Sequence, residues 1–171
     1  QLHIAETEKY AHATYFFNGL VERPYPLEER ILLPSYGATS YEEHPEMRAD
    51  EITEKALENF DAYDFILINF ANSDMLAHTG NMQASIKSIE IVDNCIKRIL
   101  ERQSEETAVV ITADHGNAEA LVDPKTGAVK TEHTSNPVPI YFVMGNKGAQ
   151  RSYNELLYNK KVSGVLADVA P

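Results

Sequence analysis

The chain has 171 residues, 43% of them hydrophobic and 24% charged, which suits one soluble globular domain with a real core. Its formal net charge of -11 argues against nucleic-acid and anionic-membrane partners, both of which are recognised through basic patches. A single cysteine, Cys95, excludes an intrachain disulfide. No apolar run approaches the ~18 residues of a membrane span, and no secretory signal opens the chain, so a cytoplasmic protein is expected.

In chain order, Glu6 to Ala11 has a helical pattern, and "ATYFFN" (13–18) is strand-like, rich in aromatic and β-branched residues and closed by Asn18-Gly19. Pro24, Pro26 and Pro34 frame a loop around the short extended piece "RILLP". From Pro45 the spacing of Met47, Ile52, Ala56, Leu57 and Phe60 predicts an amphipathic helix. "YDFILINF" (63–70) is an apolar run of strand length. Met82, Ile86, Ile89, Val92, Ile96 and Ile99 then mark a long amphipathic helix. "AVVIT" (108–112) and "PIYFVM" (139–144) have the composition of two further buried strands. Unbroken apolar strands alternating with amphipathic helices predict an α/β fold with a mostly parallel sheet and helices on both faces. Ligands in such sheets gather beyond the carboxyl ends of the strands.

Polar signatures stand at those positions. "ANSDMLAHTGN" follows "YDFILINF" and holds Asp74 and His78 four residues apart; "ADHGNAE" follows "AVVIT" and holds Asp114 beside His115; His133 lies in "KTEHTSNPVP" before the last strand. Taken singly, Asp74 reads as a helix N-cap, His78 as a satisfied polar residue, and Asp114-His115-Gly116 as a turn. Taken together, the five could converge at one sheet edge. Their imidazole and carboxylate donors suit borderline divalent ions, and two such ions can clamp the oxygens of a phosphoryl transfer.

"NFANSDMLAHTGN", "ITADHGNAE" and "TEHTSNPVP", with "IAETEKYAHATYFFNG" and "VLADVAP" at the two ends, resemble in order five segments of the 2,3-bisphosphoglycerate-independent phosphoglycerate mutases of the alkaline-phosphatase superfamily. The resemblance implies that Asp74, His78 and His133 hold one Mn²⁺-type ion and that Asp114 and His115 hold a second; Zn²⁺ or Co²⁺ would also suit these donors. It assigns Lys9 of "ETEKYAH" to the transferring phosphoryl group, although from sequence alone a solvated helix lysine is the plainer reading. It also implies interconversion of 3-phosphoglycerate and 2-phosphoglycerate through a phosphoserine, without 2,3-bisphosphoglycerate, in a monomeric enzyme. No serine of this chain sits in the family's nucleophile context. Residues 1–171 are therefore expected to be the C-terminal portion of a discontinuous phosphatase domain. The nucleophile-bearing N-terminal segment and the inserted transferase domain would lie outside them. Alone, the chain is expected to be inactive and to self-associate through an exposed sheet edge. A phosphopentomutase or other phosphatase of the same superfamily, or a non-catalytic metal-binding module, are the competing readings.

Overall fold

A computed structural model describes residues 1–36, 41–145 and 164–169. The chain forms two compact units, 1–102 with 117–132, and 103–116 with 133–171.

The first unit is built on a three-stranded parallel sheet. β1 (Leu2–Glu6) is central, flanked by β2 (Glu29–Leu33) and β3 (Ile66–Ile68), with Ile4 registered between Ile31 and Ile68. Every residue of β1 is buried, as a strand with partners on both sides and cover on both faces must be. Leu2 and Ile4 project to one face and meet Ile52 and Ala56 of helix α1 (Ala49–Glu58). His3 projects to the other face, where its Nδ1 lies 2.8 Å from the Ala13 carbonyl and its ring packs edge-on to Phe17. The period-two alternation of the strand thus sorts one apolar pair and one histidine onto opposite layers.

β1 was not legible as a strand, because "LHIAE" carries two polar side chains in five residues. The expected strand at 13–18 is instead helical: a turn at Thr7–Lys9 runs on into a wide π-type turn at His12–Phe16. Local bonds explain the difference. Thr14 Oγ1 donates to the Tyr10 carbonyl at 2.7 Å, and the Asn18 and Leu20 N–H groups donate back to Thr14 and Tyr15. A local hydrogen-bonded alternative, with Phe17 packed on His3, outweighs the β-propensity of two phenylalanines and a tyrosine. The proline-rich loop that follows is held by Glu28, which accepts from Asn18 Nδ2 (2.8 Å), the Tyr25 N–H (2.9 Å) and Arg30 Nε (2.5 Å).

The two amphipathic helices expected from periodicity are present as α1 and, after the short α2 (Asn72–Ala77) that follows β3, as α3 (Met82–Arg102), in which Cys95 and Ile99 are buried. A hairpin over residues 121–131 completes the unit; its Val122 and Val129 pair. No helix among the described residues is long and apolar enough to cross a membrane.

The second unit corrects the expectation of one sheet. β4 (Ala108–Thr112) and β5 (Ile140–Met144) are present but pair antiparallel, as a separate two-stranded ribbon with Thr112 opposite Ile140. Neither strand is buried as its composition suggested: Val110, Ile140, Tyr141, Phe142 and Met144 are all exposed. A ribbon of two strands gives each strand one neighbour only, so apolar composition alone does not secure burial.

Candidate metal centre

In the first unit the parallel pairing of β1 and β3 sends both strands out at the same edge, and this sets two sequence-distant motifs side by side. Beyond β1 the chain turns through Lys9; beyond β3 it enters α2, whose first turn carries Asp74. Lys9 Nζ donates to Asp74 Oδ2 at 2.5 Å. Lys9 is buried, so the reading of a solvated helix lysine does not hold. Nor is Asp74 an N-cap: Ala71 occupies that position, with no side-chain cap bond.

Asp74 and His78 lie one helical turn apart, the His78 N–H donating to the Asp74 carbonyl, and this sets Asp74 Oδ1 3.3 Å from His78 Nε2. Two donors at ~2.0–2.2 Å from one ion stand about this far apart, so the pair has the bite of a metal chelate. The imidazole is oriented for it. Nδ1 lies 2.6 Å from the Thr131 carbonyl; a carbonyl can only accept, so Nδ1 carries the hydrogen and Nε2 presents a lone pair. Burial alone would raise the Asp74 carboxyl, but hydrogen bonds from Lys9 and Asn117, with the charge of Lys9, outweigh it and hold the group at about 2. It is thus an anionic donor throughout the ordinary pH range.

In the second unit the antiparallel ribbon does the gathering. The end of β4 lies beside the start of β5, so the segments beyond them run together: the Thr134 N–H donates to the Gly116 carbonyl at 2.8 Å. His115 and His133 consequently stack, with ring centroids 3.7 Å apart and planes 23° from parallel. Asp114 Oδ1 is 3.6 Å from His115 Nε2, a second carboxylate–imidazole pair of similar bite. Lys9, Asp74 and His78 are therefore brought together in one unit, and Asp114, His115 and His133 in the other. The donor chemistry of both sets, imidazole with carboxylate, fits a borderline divalent ion.

One residue of the first set escaped sequence reasoning. Asn117 is buried and donates through Nδ2 to Asp74 Oδ1 at 2.7 Å, with His78 Nε2 at 3.5 Å. It stands inside "ADHGNAE", two residues past His115, but an amide neither titrates nor ranks as a metal ligand and drew no attention beside the aspartate and histidine.

The metalloenzyme superfamily pattern matches residues 1–171, the whole chain. The chain belongs to the metalloenzyme superfamily. Among its relatives are the 2,3-bisphosphoglycerate-independent phosphoglycerate mutases of Moorella thermoacetica, 48% identical over 172 residues, and of Clostridium botulinum, 47% identical over 174; each match takes in 100% of this chain and 32% of the relative. That of Pseudomonas syringae is 47% identical over 174 residues with the same coverage. This superfamily member thus spans about a third of the length of the curated relatives it matches. A solved structure of Leishmania mexicana phosphoglycerate mutase at low cobalt concentration superposes with a TM-score of 0.77 at 32% identity, covering 84% of this chain and 29% of that one. The α/β fold with a parallel sheet is shared with that enzyme.

Proposed function

We infer that residues 1–171 supply the metal-binding part of a 2,3-bisphosphoglycerate-independent phosphoglycerate mutase, which interconverts 3-phosphoglycerate and 2-phosphoglycerate. The observation that carries this reading is the cluster of Lys9, Asp74 and His78: a buried ammonium in contact with a carboxylate that is itself half of a carboxylate–imidazole chelate. In the ligand set that the resemblance implies, Asp74, His78 and His133 hold one ion, and Asp114 and His115 hold the other; Mn²⁺ is the ion proposed. Bound there, the ions supply Lewis acidity to phosphoryl and glycerate oxygens and lower the pKa of an attacking hydroxyl.

The chain's own residues do the rest of what is proposed for it. Lys9 offers a compact positive charge to a phosphoryl group, and its burial strengthens that charge by limiting screening. Asp74 anchors the ammonium end of Lys9, so the lysine is positioned before any substrate arrives and little reorganisation is needed at the moment of transfer. The attacking serine and the remaining substrate contacts are proposed to come from outside residues 1–171, in a protein that is monomeric and cytoplasmic.

Titration of the 171-residue chain with Mn²⁺, followed by the loss of the free-ion electron paramagnetic resonance signal, tests the ligand set. Binding should weaken at least ~10-fold in His78→Ala/His133→Ala, as expected when imidazole ligands are removed. The same chain should show no turnover of 3-phosphoglycerate. Unchanged Mn²⁺ binding in the double variant, or turnover and serine phosphorylation by the chain alone, would show the assignment to be wrong.

A further inference from the structure

The stretch "LVDPKTGAVKT" (121–131) forms a hairpin with a well-built tip. Asp123 Oδ1 accepts from the Lys125 and Thr126 N–H groups at 2.8 and 3.2 Å, Lys130 Nζ lies 3.2 Å from Asp123 Oδ2, and the Lys130 N–H donates to the Leu121 carbonyl at 2.8 Å. Its outgoing arm delivers the Thr131 carbonyl to His78 Nδ1. The chain entering it carries Asn117, whose amide reaches Asp74 Oδ1. One excursion of the chain therefore touches both members of the chelating pair: Asn117 Nδ2 lies on Asp74 Oδ1 itself, 3.5 Å from His78 Nε2, and the Thr131 carbonyl lies on His78 Nδ1, with Asp74 Oδ1 and His78 Nε2 3.3 Å apart.

The close approach depends on Gly80. It lies in the turn that follows α2, at φ +73, and a Cβ there would overlap Val129 Cγ1 in the hairpin, with Thr131 Cγ2 3.4 Å away. Glycine therefore does two things at this position: it adopts the left-handed turn that brings the chain out of α2, and it leaves room for the hairpin arm to reach His78. Asn117 has a further feature of a held residue. Its Oδ1 is buried and finds no partner among the described residues, so the cost of burying this amide is offset through its Nδ2 bonds to Asp74.

We propose that Asn117 and the Thr131 carbonyl are a positioning bracket for the ion-binding pair: Asn117 fixes the Asp74 carboxylate, and the hairpin fixes His78 as the tautomer with hydrogen on Nδ1. This rests on the reading of Asp74 and His78 as ligands. It assigns the hairpin a role in metal affinity, although none of its side chains is a ligand. Partners that orient a ligand in this way are typically worth roughly 10- to 100-fold in metal affinity.

The test uses the 171-residue chain and Mn²⁺ titration of five variants: Asp74→Ala, His78→Ala, Asn117→Ala, Gly80→Ala and Gly80→Ala/Val129→Ala. Thermal melts show which of them fold. Asp74→Ala and His78→Ala should lose binding; Asn117→Ala and Gly80→Ala should bind about 10-fold more weakly or worse; the added Val129→Ala, which removes the overlapping methyl, should restore part of the affinity lost in Gly80→Ala, the left-handed strain at position 80 remaining. Long-range ¹H–¹⁵N correlation on ¹⁵N-histidine-labelled chain should show His78 protonated on Nδ1 in the parent, with that signature lost in Gly80→Ala and regained in the double variant. Parental affinity in Asn117→Ala or Gly80→Ala, with binding lost in Asp74→Ala and His78→Ala, overturns the bracket and leaves the ligand assignment standing. Parental affinity in Asp74→Ala and His78→Ala overturns the ligand assignment, and the bracket with it.

Discussion

At the scale of single residues, Glu6 shows how the end of β1 carries chemistry that composition does not reveal. Its side chain is wholly buried; Oε2 accepts from Ser35 Oγ at 2.9 Å, while Oε1 has no partner among the described residues. Burial pushes the carboxyl up, against the smaller lowering effects of the Ser35 hydroxyl and an Arg48 backbone bond. A carboxyl whose folded pKa is raised binds its proton more tightly in the folded state than in the unfolded one. It therefore costs stability as pH rises from the ordinary glutamate value of 4.5 through the folded value, and the cost is complete above that. Glu6→Gln removes the titration. The variant should gain on the parent across that window, by on the order of 1 kcal/mol, the scale of the penalty on half-paired buried polar groups. Urea melts of both proteins over a pH series check it; a difference in stability that does not change with pH would refute it. The candidate site was legible at this scale in side chains that can ligate a metal: Asp74, His78, Asp114, His115 and His133 all stand in short motifs. Asn117 and the Thr131 carbonyl were not, because an amide and a backbone oxygen act through where the fold puts them. Lys9 was legible only by resemblance, since its burial follows from the parallel pairing of β1 and β3.

At the scale of elements, the loop between the π-type turn and β2 holds two bulky residues in left-handed backbone: Leu20 at φ 68 and Leu27 at φ 65. An L-residue with a Cβ is strained there, by roughly 1–2 kcal/mol. The loop tolerates it because Glu28, next to Leu27, is fixed by three hydrogen bonds, from Asn18, Tyr25 and Arg30. Leu27 is 89% exposed, so its side chain contributes little burial in return. Leu27→Gly should therefore stabilise the chain by a few tenths to about 1 kcal/mol, the relief of strain exceeding the added entropy of the unfolded glycine. A lower melting temperature in this variant would contradict the account. The same loop marks the limit of sequence reasoning about elements. Periodicity found α1 and α3, whose apolar residues recur on one face, and it found β4 and β5 by composition. It missed β1, whose polar His3 and Glu6 are buried through bonds to Ala13 and Ser35. It misplaced a strand at 13–18, where a chain of local bonds from Thr14 and Asn18 prevailed. Strand direction was the other failure: nothing within "AVVIT" or "PIYFVM" encodes antiparallel pairing, which is decided by how the connecting chain returns.

At the scale of the whole molecule, the β4–β5 ribbon is the surface through which self-association is expected. Each of its strands has one partner among the described residues, so each leaves a row of backbone donors and acceptors on its outer edge. Its side chains add an apolar surface: Phe142 is 66% exposed, and Ile140, Tyr141 and Met144 about half exposed. Against association stands the net charge of -11, which makes two copies repel at low ionic strength. Salt shortens the range of that repulsion to roughly 10 Å at 0.1 M and roughly 3 Å at 1 M, while the apolar and edge contacts are undiminished. The 171-residue chain is therefore expected to self-associate, and more strongly as salt is raised, the reverse of an association driven by surface ion pairs. Phe142→Lys should oppose it twice, by removing the largest apolar side chain of the ribbon and by placing on an edge the charge that natural sheets use to block pairing. Burying a phenylalanine is worth about 1.5–3 kcal/mol, so the association constant of the variant should fall by roughly 10- to 100-fold. Sedimentation velocity over a concentration and salt series measures both effects. A parent that stays monomeric at every salt concentration, or a variant that associates as the parent does, would place the contact elsewhere than on this ribbon.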